Sequence, residues 1–197
     1  MSEVKTAKLS PRTGAGTVTL GTSGDTFDIP SGVTLDVTGA TVTGLSAGKV
    51  LQVVSSMMAG ASTTSSTALV TTGLEGTITP SATSSKILIS ISFALAAAGG
   101  DAAPWIQLFK GSSVISGSLG DVQSSRRQSS VGMAYNAAQS TAFNYLDSPS
   151  TTSATTYKLM YACGNSGQDL YMNLMSTGDS AAYYTSPATM ILMEIEG

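Results

Sequence analysis

The chain has 197 residues, a formal net charge of −3, a sequence pI near 4.7 and only 11% charged residues. No cluster of Lys or Arg is long enough to track a phosphate backbone, which argues against nucleic acid as a partner, and no apolar run approaches the roughly 20 residues of a membrane span. Histidine is absent and cysteine occurs once, which removes Ser-His-Asp and Cys-His catalysis, imidazole-ligated zinc and any intrachain disulfide.

Ser and Thr make up roughly 30% of the chain, far above average usage. Hydrophobic residues are nevertheless 42%, and mean hydropathy is +0.20, too apolar for a disordered chain. Thr favours strands, while Ser and Gly favour turns. An all-β protein with many connections is expected.

Residues 1–13 form a polar arm carrying Lys5, Lys8 and Arg12, broken by Pro11. It has no apolar core of a secretory signal, so assembly in a cytosol is expected. Residues 14–45 read GAGTVTLGTSGDTFDIPSGVTLDVTGATVTGL. Short apolar/Thr alternations there (Val18/Leu20, Phe27/Ile29, Val33/Leu35/Val37) are interrupted every few residues by Gly, Pro or Asp. Each strand offers two or three apolar groups, too few for a core, and open edges need cover. Copies of the same segment are the simplest cover, which predicts a fibrous β-shaft stable only on self-association, as a trimer.

Residues 44–48 are a small-residue hinge, after which the strands lengthen. The pattern predicts strands over 49–57, 67–70, 76–79, 86–96, 105–109, 113–116, 141–146, 156–163, 169–175 and 188–196, with a single helical turn at most over 132–139. Such a series of strands joined by turn-sized breaks fits a β-sandwich or jelly roll over 49–197. Ile87, Ile89, Ile91, Phe93 and Leu95 alternate, as do Tyr157, Leu159, Tyr161 and Cys163, and Met190 and Leu192. The opposite registers hold Leu88, Met160, Ile191, Met193 and Ile195, also apolar. Apolar residues on both faces of a strand mean both faces are covered, which again points to an oligomer.

Signs of chemistry are sparse. Ser46-Ala47-Gly48-Lys49 matches the S-x-x-K pattern of Ser-Lys acyl transferases, but the companion elements are missing and it lies at a hinge. Asp25 and Asp28 in a Gly-rich turn are too few carboxylates for a calcium site. Glu194 and Glu196 share a face of the last strand and are read as capping an exposed strand end, not as a glycosidase pair. Cys163 is expected to be a buried, inert thiol. Arg126-Arg127, the only basic pair, is read as a solvated turn or subunit contact. No cofactor or metal is expected, and an enzyme is not. Among the aromatics, Trp105, Tyr183 and Tyr184 are the candidates for contact with a receptor, because such rings stack on sugars. Packing over a sandwich end or a subunit seam is the competing reading for the two tyrosines.

The ordered series LSPRTG, TLGTSGDTFDIPSGVTL, GLSAGKVLQVV, ITPSATSSKILISISF, TTYKLMYA and ATMILMEIEG resembles short tail-fibre-type proteins of bacteriophages, especially marine and cyanobacterial ones. The strand order after residue 49, with WIQLFKGSSVI as a central hairpin, is also similar to trimeric jelly-roll heads of the complement and tumour-necrosis-factor type, as a fold analogy. The resemblance implies a homotrimer on the virion, assembled in the host cytoplasm. It implies an anchoring arm (1–13, with Val4, Lys5, Lys8 and Leu9 as candidate contacts to other virion proteins), a β-shaft and hinge (14–48) and a jelly-roll head (49–197). It implies attachment to a bacterial surface polysaccharide or outer-membrane protein. The alternative is a structural or decoration protein of the virion (head fibre, spike or linker) without receptor binding.

Overall fold

The computed structural model describes residues 19, 26, 28, 30–34, 36–37, 48–98, 102–132, 139–174 and 185–197. The chain divides into two compact units, Met1–Ser46 and Ala47–Gly197. In the first, Val33 N–H donates to the Pro30 carbonyl at 3.1 Å across a turn, and Gly32 takes φ +85°, a region that a side chain resists. Val33 and Val37 are exposed there. The other apolar positions expected to build the shaft lie outside the described residues.

Among its described residues the second unit is all-β, with two sheets and one short 3-10 turn at Ser116–Ser118. Its strands are β1 (Val50–Met58), β2 (Ser62–Thr64), β3 (Val70–Ile78), β4 (Lys86–Ala98), β5 (Trp105–Lys110), β6 (Ser113–Val114), β7 (Gln139–Asp147), β8 (Thr155–Ala162), β9 (Asp169–Met172) and β10 (Ala188–Ile195). The larger sheet runs β1-β10-β4-β9-β2, with β7 also on β4; the smaller runs β3-β8-β5-β6. Leu95 of β4 faces Gln139 of β7 on one edge and Met172 of β9 on the other. Thus β10 and β9 follow one another along the same edge of the long strand β4, opposite β7.

Alternation decides what is buried. Ile87, Ile89, Ile91, Phe93 and Leu95 of β4 meet Tyr157, Leu159 and Tyr161 of β8, Ile106 and Leu108 of β5, Leu74 and Ile78 of β3, and Met190 and Leu192 of β10 in one continuous core. Each such side chain contributes about 1.5–3 kcal/mol on burial. The inward register expected from the sequence is therefore the one observed.

Three local differences have physical causes. The two strands expected at 67–70 and 76–79 are one strand, β3, whose pairing with β8 is irregular between Thr71 and Glu75. Gly73 sits there at φ +91°, and the Thr72 hydroxyl donates to the Leu159 carbonyl at 2.8 Å across the break. The expected loop at 60–66 contains β2, which pairs with β9, and the Ser62 hydroxyl is hydrogen-bonded to the Tyr161 hydroxyl at 2.7 Å. The strand expected over 169–175 ends at Met172, because Asn173 turns to φ +61° and its amide donates to the Met58 and Gly60 carbonyls at 3.1 and 3.2 Å. The hairpin expected over 105–115 forms as β5–β6, at the edge of the smaller sheet.

Candidate functional site

Register places the loops at two ends of the domain. At one end the chain enters β1 at Val50, opposite Ile195. Two carboxylates are held there. Glu194 was expected at an exposed strand end with Glu196; it is instead fully buried, while Glu196 alone is exposed. The cause is the loop after β3, which folds over β10. Ser81 donates its backbone N–H and hydroxyl to Glu194 Oε1, each at 2.6 Å, and Gln52 Nε2 donates to Oε2 at 2.5 Å. Burial pushes this carboxyl up, but the hydrogen bonds from Ser81 and Gln52 outweigh it and hold the pKa at about 2. Asp147, also buried, accepts from Lys110 Nζ at 2.9 Å and from the Tyr157 hydroxyl at 2.6 Å. Both sites are saturated by their own neighbours and tie loops and sheets together.

The opposite end carries an open cleft of 810 Å³, lined by Ala103, Pro104, Trp105, Ser125, Arg126, Arg127, Ser129, Val131 and Gly132. The local sequence explains how the lining is held. Beyond the two residues paired with β6, the outer edge of β5 is met by the segment 128–131. Ile106 N–H donates to Ser129 Oγ at 2.9 Å, Leu108 N–H to Ser130 Oγ at 3.0 Å, and Ser130 N–H to the Ile106 carbonyl at 2.7 Å. Serine hydroxyls here do what a neighbouring strand's backbone would do, and they carry Arg126 and Arg127 to the start of β5.

Arg127 then reaches across the cleft. Its Nη2 donates to the Gly164 carbonyl at 2.9 Å, and its guanidinium lies 5.9 Å from the Trp105 ring centroid, within cation–π range. Gly164 is needed for this approach. A Cβ there would meet Ala103 Cβ and its carbonyl oxygen at 2.6 Å and Arg127 Nη1 at 3.2 Å. Ala103 and Ser124, in the two loops that form the cleft, hold φ +40° and +56°, uncommon for residues with a side chain.

A second cleft at this end is lined by Thr63, Thr64, Ser65, Ser66, Asp169 and Tyr171. Cys163 lies beside it, fully buried, its Sγ within reach of the Thr64 and Gln168 carbonyls at 3.4 and 3.3 Å. Burial first, and the Asp169 charge second, push the thiol pKa up.

Of the residues singled out from sequence, Trp105 is placed in the cleft. Tyr183, Tyr184, Val4, Lys5, Lys8 and Leu9 lie outside the described residues, as does Ser46 of the S-x-x-K pattern. Lys49 of that pattern faces Glu196 at 3.9 Å. Arg126 and Arg127 lie 21 and 22 residues from Trp105 in the chain, and the fold brings all three to one cleft. Among the described residues, no group of three or more His, Cys, Asp or Glu side chains is placed to hold a metal ion.

The outward face of the larger sheet is the other notable surface. Val53 pairs with Met193, Met193 with Leu88, and Leu88 with Leu146. A straight row of four large apolar side chains thus crosses β1, β10, β4 and β7. Val53 is 57% and Leu146 47% exposed in the single chain. Val50 and Leu51, exposed at the bulge that opens β1, and Ile195 extend the patch. Farther along the strands the rows turn polar: Ser55, Ile191, Ser90 and Asn144 share the next one.

Neither a family model nor a curated protein matches this chain.

Proposed function

We propose that this chain is a non-enzymatic subunit of a homotrimeric bacteriophage fibre, with a jelly-roll head over 49–197 that attaches the virion to the host cell surface. The observation that carries the reading is the apolar row Val53–Met193–Leu88–Leu146 on the outward face of the larger sheet. A solvated sheet face alternates to polar residues, and a contiguous apolar patch marks an interaction surface. A second copy of the chain is the simplest cover. Soluble homo-oligomers close by rotation, and three-fold closure is what the resemblance to fibre heads adds.

The pairing scheme supports the jelly-roll reading. The partners β1·β10, β3·β8, β4·β7 and β5·β6 are nested, as in one long hairpin rolled into two sheets. Position favours adhesion over a purely structural role in the virion. The Trp105 cleft lies at the end away from Val50, where the chain enters, and the apolar row lies near the entry end. Three copies held together turn weak contacts into avidity. The arm at 1–13 would join the head to other virion proteins.

The deciding experiment is the mass of the purified protein by multi-angle light scattering. Three times 19.9 kDa is expected, followed by binding to host cells; a monomer at micromolar concentration overturns the fibre reading.

A further inference from the structure

We infer that the cleft at Trp105, Arg126 and Arg127 binds a carboxylate-bearing saccharide of the uronic-acid type. The inference rests on the adhesion reading above and names the chemistry that the head would recognise.

Charge comes first. The chain is acidic overall, with 12 Asp and Glu against 9 Lys and Arg, yet this cleft presents two guanidinium groups and no acidic side chain among its described lining residues. The ion pairs between described residues, Lys49–Glu196 and Lys110–Asp147, lie at the other end of the domain. Arg127 spends one of its five donors on the Gly164 carbonyl, which orients the guanidinium without neutralising it. A guanidinium matches a carboxylate with two parallel hydrogen bonds.

The remaining groups specify what surrounds the carboxylate. Trp105 Nε1 is shielded from solvent and has no hydrogen-bond partner among the described residues, although a buried donor of this kind ordinarily has one. The residue itself lines the cleft. The indole supplies apolar surface for the C–H face of a sugar, and Ser125 lines the cleft with a hydroxyl group. The volume falls within the range of ligand sites, and the two guanidinium groups favour an anion there. A polyhydroxylated ring carrying a carboxylate matches the two guanidinium groups, the indole and the Ser125 hydroxyl.

Trp105 is the only tryptophan in the chain, so its emission reports on this cleft alone. The full-length protein would be titrated with tetragalacturonate, following both tryptophan fluorescence and calorimetric heat. The probe's methyl ester, inorganic phosphate and a tetraglutamate peptide serve as comparisons. A saturable change with the free acid, absent with the ester and weakened by added salt, is expected. Arg127→Gln should weaken it by about tenfold or more, the loss of charge-assisted hydrogen bonds. Arg126→Gln should weaken it severalfold; both side chains are exposed, so neither substitution threatens the fold.

Silence in both fluorescence and calorimetry overturns the inference. So does equal binding of the ester, or phosphate or tetraglutamate binding as tightly as the uronate. The mass measurement above is independent: a trimer that ignores uronate removes this inference and leaves the fibre, and a monomer that binds it does the reverse.

Discussion

The Tyr157 hydroxyl donates to Asp147 Oδ2 at 2.6 Å, joining the last residue of β7 in the larger sheet to β8 in the smaller. Lys110 of β5 completes the group at 2.9 Å. Beside the apolar packing, a buried carboxylate thus fastens the two sheets at the end where the chain enters, as the Ser62–Tyr161 hydrogen bond does elsewhere.

Asp147→Asn should lower stability by about 2–3 kcal/mol, because it removes the charge from two hydrogen bonds in a buried site. Tyr157→Phe should cost about 1–1.5 kcal/mol. Urea midpoints at unchanged slope would measure both. The Tyr157 phenol also has its pKa raised, by burial first and by Asp147 second. A raised folded-state value means its stabilisation is intact below the ordinary tyrosine pKa of about 10 and declines as pH climbs above it. Alkaline unfolding should therefore be shallower in Tyr157→Phe than in the parent, and an identical alkaline limb would count against this assignment.

Glu194 acts at the opposite end of the pH scale. Its pKa, held at about 2, lies below the unfolded value of about 4.3. Its contribution is complete above that unfolded value and is lost as pH falls towards the folded one. Glu194→Gln should destabilise at neutral pH, since an amide cannot accept from Ser81 on one side and Gln52 on the other without presenting a donor to a donor. It should also flatten the acid limb of a stability-against-pH curve; an unchanged limb would show that another carboxylate sets it.

Val53→Asp and Leu146→Asp place a charge in the outward apolar row without touching the core. If the row is the subunit contact, either change should drop the mass measured by light scattering to that of a monomer, because an unpaired charge in such a contact costs several kcal/mol. The far-ultraviolet circular dichroism should not change. A trimer that survives both substitutions would move the contact elsewhere.

Cys163 offers a simple probe of packing. Buried, with its pKa raised, it should resist a disulfide reagent in the native protein and react as one equivalent in denaturant. Rapid native reaction would show that the 163–170 region opens.

Much of the fold was written in alternation. The period-two runs of β4, β8 and β10 identify both the strands and the face they bury, because a strand can turn only one register towards a core. Gly73 hid the continuity of β3, since a glycine inside a strand reads as a break where the pairing is only locally irregular. Glu194 was legible as a residue of the last strand but not as a buried one. Its burial depends on a loop more than a hundred residues away in sequence, and nothing local announces Ser81. For the cleft, Trp105 stood out by its chemistry; Arg126 and Arg127, read as a solvated turn or subunit contact, are exposed, and nothing local places them in the same cleft as Trp105. By itself the sequence determined the all-β class, the inward registers and the absence of imidazole chemistry, which depend on composition and short-range period. Which outward residues align into one apolar row, and which cations meet the indole, only the tertiary structure decided, because strand order and loop placement are set by long-range pairing that no local pattern encodes.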